Sequence, residues 1–298
     1  MTTHSTQANG GTVRHASDIP QQVSRRRSPI VVGADDSYWG RRALRWAADH
    51  AWAIGAELEA HVPPIDARAT ARGGWIGDTL SAFPVAPNLI PSDADPVTVL
   101  LRASQHAALV VLGSRGNRHH GIGLGATVLP VATGADCDVM VIGGRPRAVA
   151  GSYQWITVMV GEGTDEHALR SAAGLAVLRR VPLRIVLPVP IIGPHPLKPP
   201  IDPCMAALER AAQLVHRVAP TVHTTAKLVW TTPHETVATL TDTDVLVIGV
   251  RGQVSPIARA ALYQAASPVL IARAAQPAPA DRQPTSAGTS LTSSAYQA

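Results

Sequence analysis

Phenylalanine occurs once in the 298 residues, at Phe83, and cysteine twice, at Cys137 and Cys204. Two cysteines without a CxxC pair exclude a disulfide framework and favour a reducing, cytoplasmic setting. Cys137, inside the apolar run CDVMVI, reads as a buried strand residue. Lysine also occurs only twice, at Lys198 and Lys227, so nearly all of the 26 basic residues are arginines. They are scattered, and 26 basic minus 21 acidic residues leaves a net charge of only +5. That pattern argues against a nucleic-acid partner. No apolar stretch reaches the roughly 18 residues of a membrane span without a charge or a breaker. The N-terminal MTTHSTQANGG lacks the apolar core of a signal peptide.

What is present is apolar and small. Hydrophobic residues make up 46% of the chain and charged residues 16%, enough for a sizeable core. At about 150 residues per domain, two domains are expected. Residues 1–28 are polar and end in Arg25-Arg26-Arg27, and residues 275–298 are Ala, Pro, Ser, Thr and Gln. Both read as disordered tails. Between them the chain repeats itself. PIVVGADDS is echoed by ITVMVGEGT, AALVVLGSRG by TDVLVIGVRG, and the closing CDVMVIGG by SPVLIARA. The matching segments lie about 130 residues apart, too long a period for a solenoid, so a whole domain is duplicated. The expected units are 29–146 and 153–274.

Within each copy, strands apolar along their whole length alternate with alanine-rich helical runs. That alternation predicts a doubly wound α/β domain with a parallel sheet covered on both faces. Leu44, Ala47, Ala48 and Ala51 recur at helical spacing and should face the sheet. Trp46 and Trp52 read as packing residues. Between His61 and Asp95 the first copy is rich in Gly and Pro and shows no helix. The matching part of the second copy holds the amphipathic IDPCMAALERAAQLVHRVA, preceded by the proline-rich PIIGPHPLKPP. The closing strands VMVIGG and PVLIAR would be exposed edges unless they pair with each other and join the copies.

One loop has the ingredients of an anion site. Strand ALVVLG ends at Gly113, followed by Ser114, Arg115, Gly116 and a Gly-rich stretch that reaches Gly125, Ala126 and Thr127 before a helical run. Glycines let backbone N–H groups approach an anion, and the carboxyl end of a parallel strand is where open α/β sheets bind ligands. Arg115 and Arg118 could add charge; a plain turn is the alternative. Asp35, at the end of the first strand, could accept hydrogen bonds from a ribose or a base, or simply end the strand. Asp36 or Ser37 could cap the next helix. The adjacent His119 and His120 lack metal-site spacing. Neither a G-x-S-x-G elbow nor a P-loop lysine is present, which argues against an efficient NTPase.

In order and spacing, VVGADDS, His61-Val62, DPVTVLLRASQHAALVVLGSRG and LGATVLPVATGADCDVMVI together resemble the universal stress protein family, and the duplication resembles its tandem actinobacterial members. The resemblance spans roughly residues 28–274. It implies two Rossmann-like units of the adenine nucleotide alpha hydrolase-like kind and an ATP or related adenine-nucleotide site in the first. Carried over residue by residue, Asp35 would meet the adenine and ribose, and Val62 would line the base pocket. Gly113, Arg115 and Gly116 would hold ribose and phosphates, with Gly125, Ala126 and Thr127 at the phosphate end. Eight residues separate Gly116 from Gly125 where the family has nine. Ala126 stands where the family has a hydroxyl, and Asp36 replaces a usual glycine. In the second copy Glu162 replaces the aspartate. Gly249 and Gly252 persist, but Pro256 sits near the missing phosphate-side glycine, so that copy is expected to be architectural. The implied function is a cytoplasmic nucleotide-binding regulator of stress responses such as low oxygen, not an enzyme beyond slow ATP hydrolysis. A scaffold with degenerate sites is the alternative. A protein partner and a homodimer are compatible with either.

Overall fold

A computed structural model of the chain describes residues 28–64, 70, 73–81, 83, 86–116, 123–161, 166–190 and 201–273. The expected tails (apart from Ser28), the proline-rich segment 191–200, Arg118, His119, His120 and Glu162 lie outside the described residues.

The first half runs β1 (Ile30–Gly33), α1 (Tyr38–Ile54), β2 (Leu58–Val62), α2 (Trp75–Leu80), β3 (Asn88–Pro91), α3 (Pro96–Ser104), β4 (Leu109–Gly113), α4 (Val128–Gly134) and β5 (Asp138–Ile142). A short α5 (Pro146–Val149) leads into β6 (Ile156–Met159), α6 (Glu166–Arg179), β7 (Leu183–Pro188), α7 (Ile201–Val218), β8 (Thr224–Val229), α8 (Pro233–Thr239), β9 (Val245–Val250), α9 (Pro256–Gln264) and β10 (Val269–Arg273). The ten strands form one sheet, ordered β3-β2-β1-β4-β5-β10-β9-β6-β7-β8.

All neighbours are parallel except β5 and β10, which pair antiparallel with Val269 opposite Val141 and Ile271 opposite Val139. The two closing strands thus satisfy each other's edges, and the halves share a sheet. Parallel strands buried on both faces need apolar residues at every position. Ile30 and Val32 join one core with Leu44, Ala47, Ala48 and Ala51 of α1, all fully buried. Val31 faces the other core with Leu100 and Val131.

Three sequence expectations are corrected. The stretch from His61 to Asp95 is not only loop. It forms the six-residue α2, whose Ile76 is buried against the core, and the edge strand β3, in which Pro91 pairs with Val62. Proline is tolerated there because an edge strand need not donate on its outer side. Trp46 is buried, but Trp52 is 59% exposed, because it projects from α1 on the side away from the sheet. Cys137 precedes β5 and is half-buried instead of standing inside the strand; burial and the adjacent Asp138 push its thiol up to about 12.

Candidate functional site

The strand order steps outward from β1 to β2 and β3, then returns to place β4 on the other side of β1. The carboxyl ends of β1 and β4 therefore flank a switch point, where open α/β sheets leave a crevice. Asp35 follows β1, and Gly113 to Gly116 close β4, so topology alone brings these residues together.

Their local chemistry ties the two tips. Ser37 is the N-cap of α1, its Oγ accepting from the Gly40 N–H at 2.9 Å. The same hydroxyl donates to the Arg115 carbonyl at 3.2 Å, fixing the β4 loop to the α1 start. The Asp35 carboxylate accepts from the Ser37 N–H at 3.1 Å. A Cβ at Gly116 would lie 2.7 Å from Asp35 Oδ2, and one at Gly40 would lie 2.3 Å from Asp35 Oδ1. The carboxylate is seated between two glycines. Asp36 turns outward to pair with Arg41. Gly113 permits another close approach: a Cβ there would meet the Trp39 backbone at 2.6 Å. Val62 is buried at the tip of β2, on the face that carries α1. On the opposite face, both ring nitrogens of His61 are buried without partners among the described residues, and burial holds the imidazole below its ordinary range.

The phosphate-side segment folds back onto this pair. The Gly125 N–H donates to the Ser114 carbonyl at 2.8 Å, so that amide is used in closing the loop. A Cβ on Gly125 would lie 3.3 Å from Arg115 Cα and 3.7 Å from the Gly116 nitrogen. Ala126 and Thr127 therefore adjoin Arg115 and Gly116. None of the backbone N–H groups of these four residues donates to a described residue. The Thr127 hydroxyl makes no capping bond to α4. Arg115 Nε is buried and has no acceptor among the described residues. Amides without an acceptor among the described residues, next to a half-buried arginine, are the kind of donors that take an anion.

The matching place in the second half differs. Ser255 caps α9 by accepting from the Ala258 N–H, and Pro256 brings no N–H to the start of that helix. Gly252 has φ +76°, and its carbonyl accepts from Arg273 at 2.7 Å. The other end of that guanidinium donates to the Thr133 carbonyl at the end of α4.

One cluster has the composition of a catalytic triad. His167 Nε2 lies 2.7 Å from Asp138 Oδ1, and Ser171 Oγ donates to Asp138 Oδ2 at 2.9 Å. A hydrolytic relay needs the imidazole between acid and nucleophile, one nitrogen to each. Here histidine and serine converge on the same carboxylate, which also accepts from the Arg273 N–H, so the cluster ties β5 to α6 and β10. Among the described residues no group of three or more His, Cys, Asp or Glu could hold a metal, and no helix is long and apolar enough to cross a membrane.

Sequence reasoning missed Ser37 and Gly40 as parts of the site. A glycine in the first turn of a helix, just after a capping serine, was the available signal.

No family model matches the chain. It is 29% identical over 201 residues to a universal stress protein of Mycobacterium tuberculosis strain H37Rv, covering 63% of this chain and 70% of that protein. A second universal stress protein of that strain is 30% identical over 170 residues, 52% of this chain and 62% of its own length. The crystal structure of a universal stress protein from Archaeoglobus fulgidus aligns with a TM-score of 0.59 at 15% identity, covering 83% of this chain and 97% of that one. That likeness shows the shared fold, and the sequence relatives show a similarity in sequence. The motif order, the duplicated architecture and these relatives agree: the chain is similar in sequence and in fold to universal stress proteins, with the unit duplicated in tandem.

Proposed function

We propose that the chain comprises two units, 29–146 and 153–274, and that the first alone binds an adenine nucleotide, ATP or a close relative. The observation that carries this reading is the set of amides at Arg115, Gly116, Ala126 and Thr127 that have no acceptor among the described residues, near the switch-point crevice. Phosphate oxygens would accept from those amides, and the half-buried Arg115 would add charge. Gly113 and Gly116 leave room for the ribose and phosphates. Asp35 would accept from a ribose hydroxyl or the adenine amino group, and Val62 would give the base an apolar wall. Gly125 contributes by closing the loop, its own amide being spent on Ser114. Thr127 supplies the hydroxyl that Ala126 lacks.

The role is regulatory, not catalytic. Nucleotide binding would shift the first unit toward a form that a protein partner recognises, by no more than its differential affinity for the two forms. A scaffold that binds no nucleotide is the second reading, favoured by the spent Gly125 amide and by Ala126. One experiment separates them. At about 100 times the dissociation constant, ATP should raise stability by about 2.7 kcal/mol in a thermal-shift titration, and Asp35→Ala should abolish the rise. An unchanged melting temperature at millimolar ATP would favour the scaffold.

A further inference from the structure

The first crevice draws its candidate donors from two segments: the β4 loop at Arg115 and Gly116, and the stretch before α4 at Ala126 and Thr127. Each segment is tied to the second half of the chain.

The β4 loop is tied through the tip of β5. The Ser114 N–H donates to the Ile142 carbonyl at 2.8 Å, and a Cβ on Gly143 would lie 2.9 Å from the Ser114 Cβ. Gly144 has φ +87°, and a Cβ there would lie 2.5 Å from the backbone of Ala266, just beyond α9. The next residue, Arg145, donates its N–H to the Ala266 carbonyl at 2.8 Å. Backbone packed on backbone has no flexible side chain to give way, so the loop, the β5 tip and the end of α9 are held in one register.

The helix α4 is tied at its far end. It has seven residues, and its N-cap side chain makes no capping bond. Helices this short are marginal without tertiary support. Val128, Val131 and Ala132 give it a buried apolar side. At its last turn, the Val131 carbonyl accepts from the Ala135 N–H, while the Ala132 and Thr133 carbonyls accept from the Arg273 guanidinium. An arginine at a helix C-terminus satisfies such carbonyls and suits the helix dipole. Here it is supplied by the closing strand of the other half, 140 residues beyond Thr133. Arg273 is itself fixed. Its backbone N–H donates to Asp138 at 2.8 Å, and its other terminal nitrogen donates to the Gly252 carbonyl at 2.7 Å. The guanidinium therefore bridges the β9 loop and the end of α4, about two helical turns from Thr127.

We propose, on the nucleotide reading above, that the second unit braces the phosphate-binding side of the first, with Arg273 the positioning residue that holds α4 and so places Ala126 and Thr127. The second copy then keeps the donors of the first in place before a ligand arrives. Donors that had to be ordered on binding would cost affinity.

ATP titrated calorimetrically into the full chain is the test. Arg273→Met keeps an unbranched apolar stem without a donor, and should weaken ATP binding about fivefold or more. Arg273→Lys can still donate to the α4 carbonyls and should recover part of the loss. Arg184→Met is the comparison: it breaks the 2.8 Å ion pair with Asp242, away from both braced segments, and should bind ATP as the parent does. Hydrogen exchange at the Val131 and Ala135 amides, which bond within α4, should quicken in Arg273→Met and slow in the parent when ATP is added. Equal affinity in Arg273→Met and the parent, an equal loss in Arg184→Met, no recovery in Arg273→Lys or unchanged exchange would each overturn the brace and leave the nucleotide reading standing. A parent chain that binds no ATP would overturn both.

Discussion

His50 has a clear thermodynamic signature. Burial, with a smaller contribution from the nearby Arg179 charge, lowers its imidazole from 6.5 to about 4. The folded state therefore holds the ring neutral over a range in which the unfolded chain takes up a proton. Because the unfolded state binds more protons, stability rises with pH through that window. The contribution is complete above pH 6.5 and is lost as pH falls toward 4. At about 1.4 kcal/mol per pH unit it amounts to roughly 3 kcal/mol. Urea denaturation across that range should show the slope, and His50→Gln should flatten most of it. A variant as pH-sensitive as the parent would remove His50 as the cause. The sequence did not disclose this behaviour. Helical spacing identified the stripe of Leu44, Ala47, Ala48 and Ala51, but His50 is buried by the second unit, whose approach no local pattern encodes.

At the scale of elements, the close crossing of β4 and α1 is a tight constraint on the crevice. Gly113 sits against the Trp39 backbone, which cannot move aside as a flexible side chain could. Gly113→Ala should cost about 1–3 kcal/mol, measured by urea denaturation, as overpacking does elsewhere. A neutral substitution would mean that the helix and strand are less firmly docked. Long elements were legible in the sequence because their periodicity repeats over several turns or an entire apolar strand. The pieces α2 and β3 were not, because six and four residues carry too little pattern to outweigh the surrounding Gly and Pro. The glycines of the β4 loop were legible as a motif. The unpaired amides of Ala126 and Thr127 were not, since availability depends on where Gly125 and Ser114 meet in space. Ser37 was legible as a cap but not as the hydroxyl that pins Arg115. The difference at the second loop was partly legible, because Pro256 announces a missing N–H. The Arg273 contact to Gly252 was hidden by their separation along the chain.

At the scale of the molecule, one sheet joins two copies of a unit, and the antiparallel β5–β10 pair is the hinge of that architecture. Asp138 gathers His167, Ser171 and the Arg273 N–H at this seam. Asp138→Ala would leave those groups unsatisfied and should cost about 3 kcal/mol, read as a lower midpoint in chemical denaturation. An unchanged midpoint would show that apolar packing alone holds the halves together. The duplication permits asymmetry: near Gly252 the second half carries a serine cap, a proline and an arginine contact in place of the long Gly-rich segment of the first.

That asymmetry is tested most directly by the stoichiometry of ATP binding to the full chain in isothermal titration calorimetry. The expected result is one nucleotide per chain, lost in Gly116→Glu and retained in Gly252→Asn, where asparagine tolerates the positive φ. Two nucleotides per chain, or equal losses from both substitutions, would contradict it.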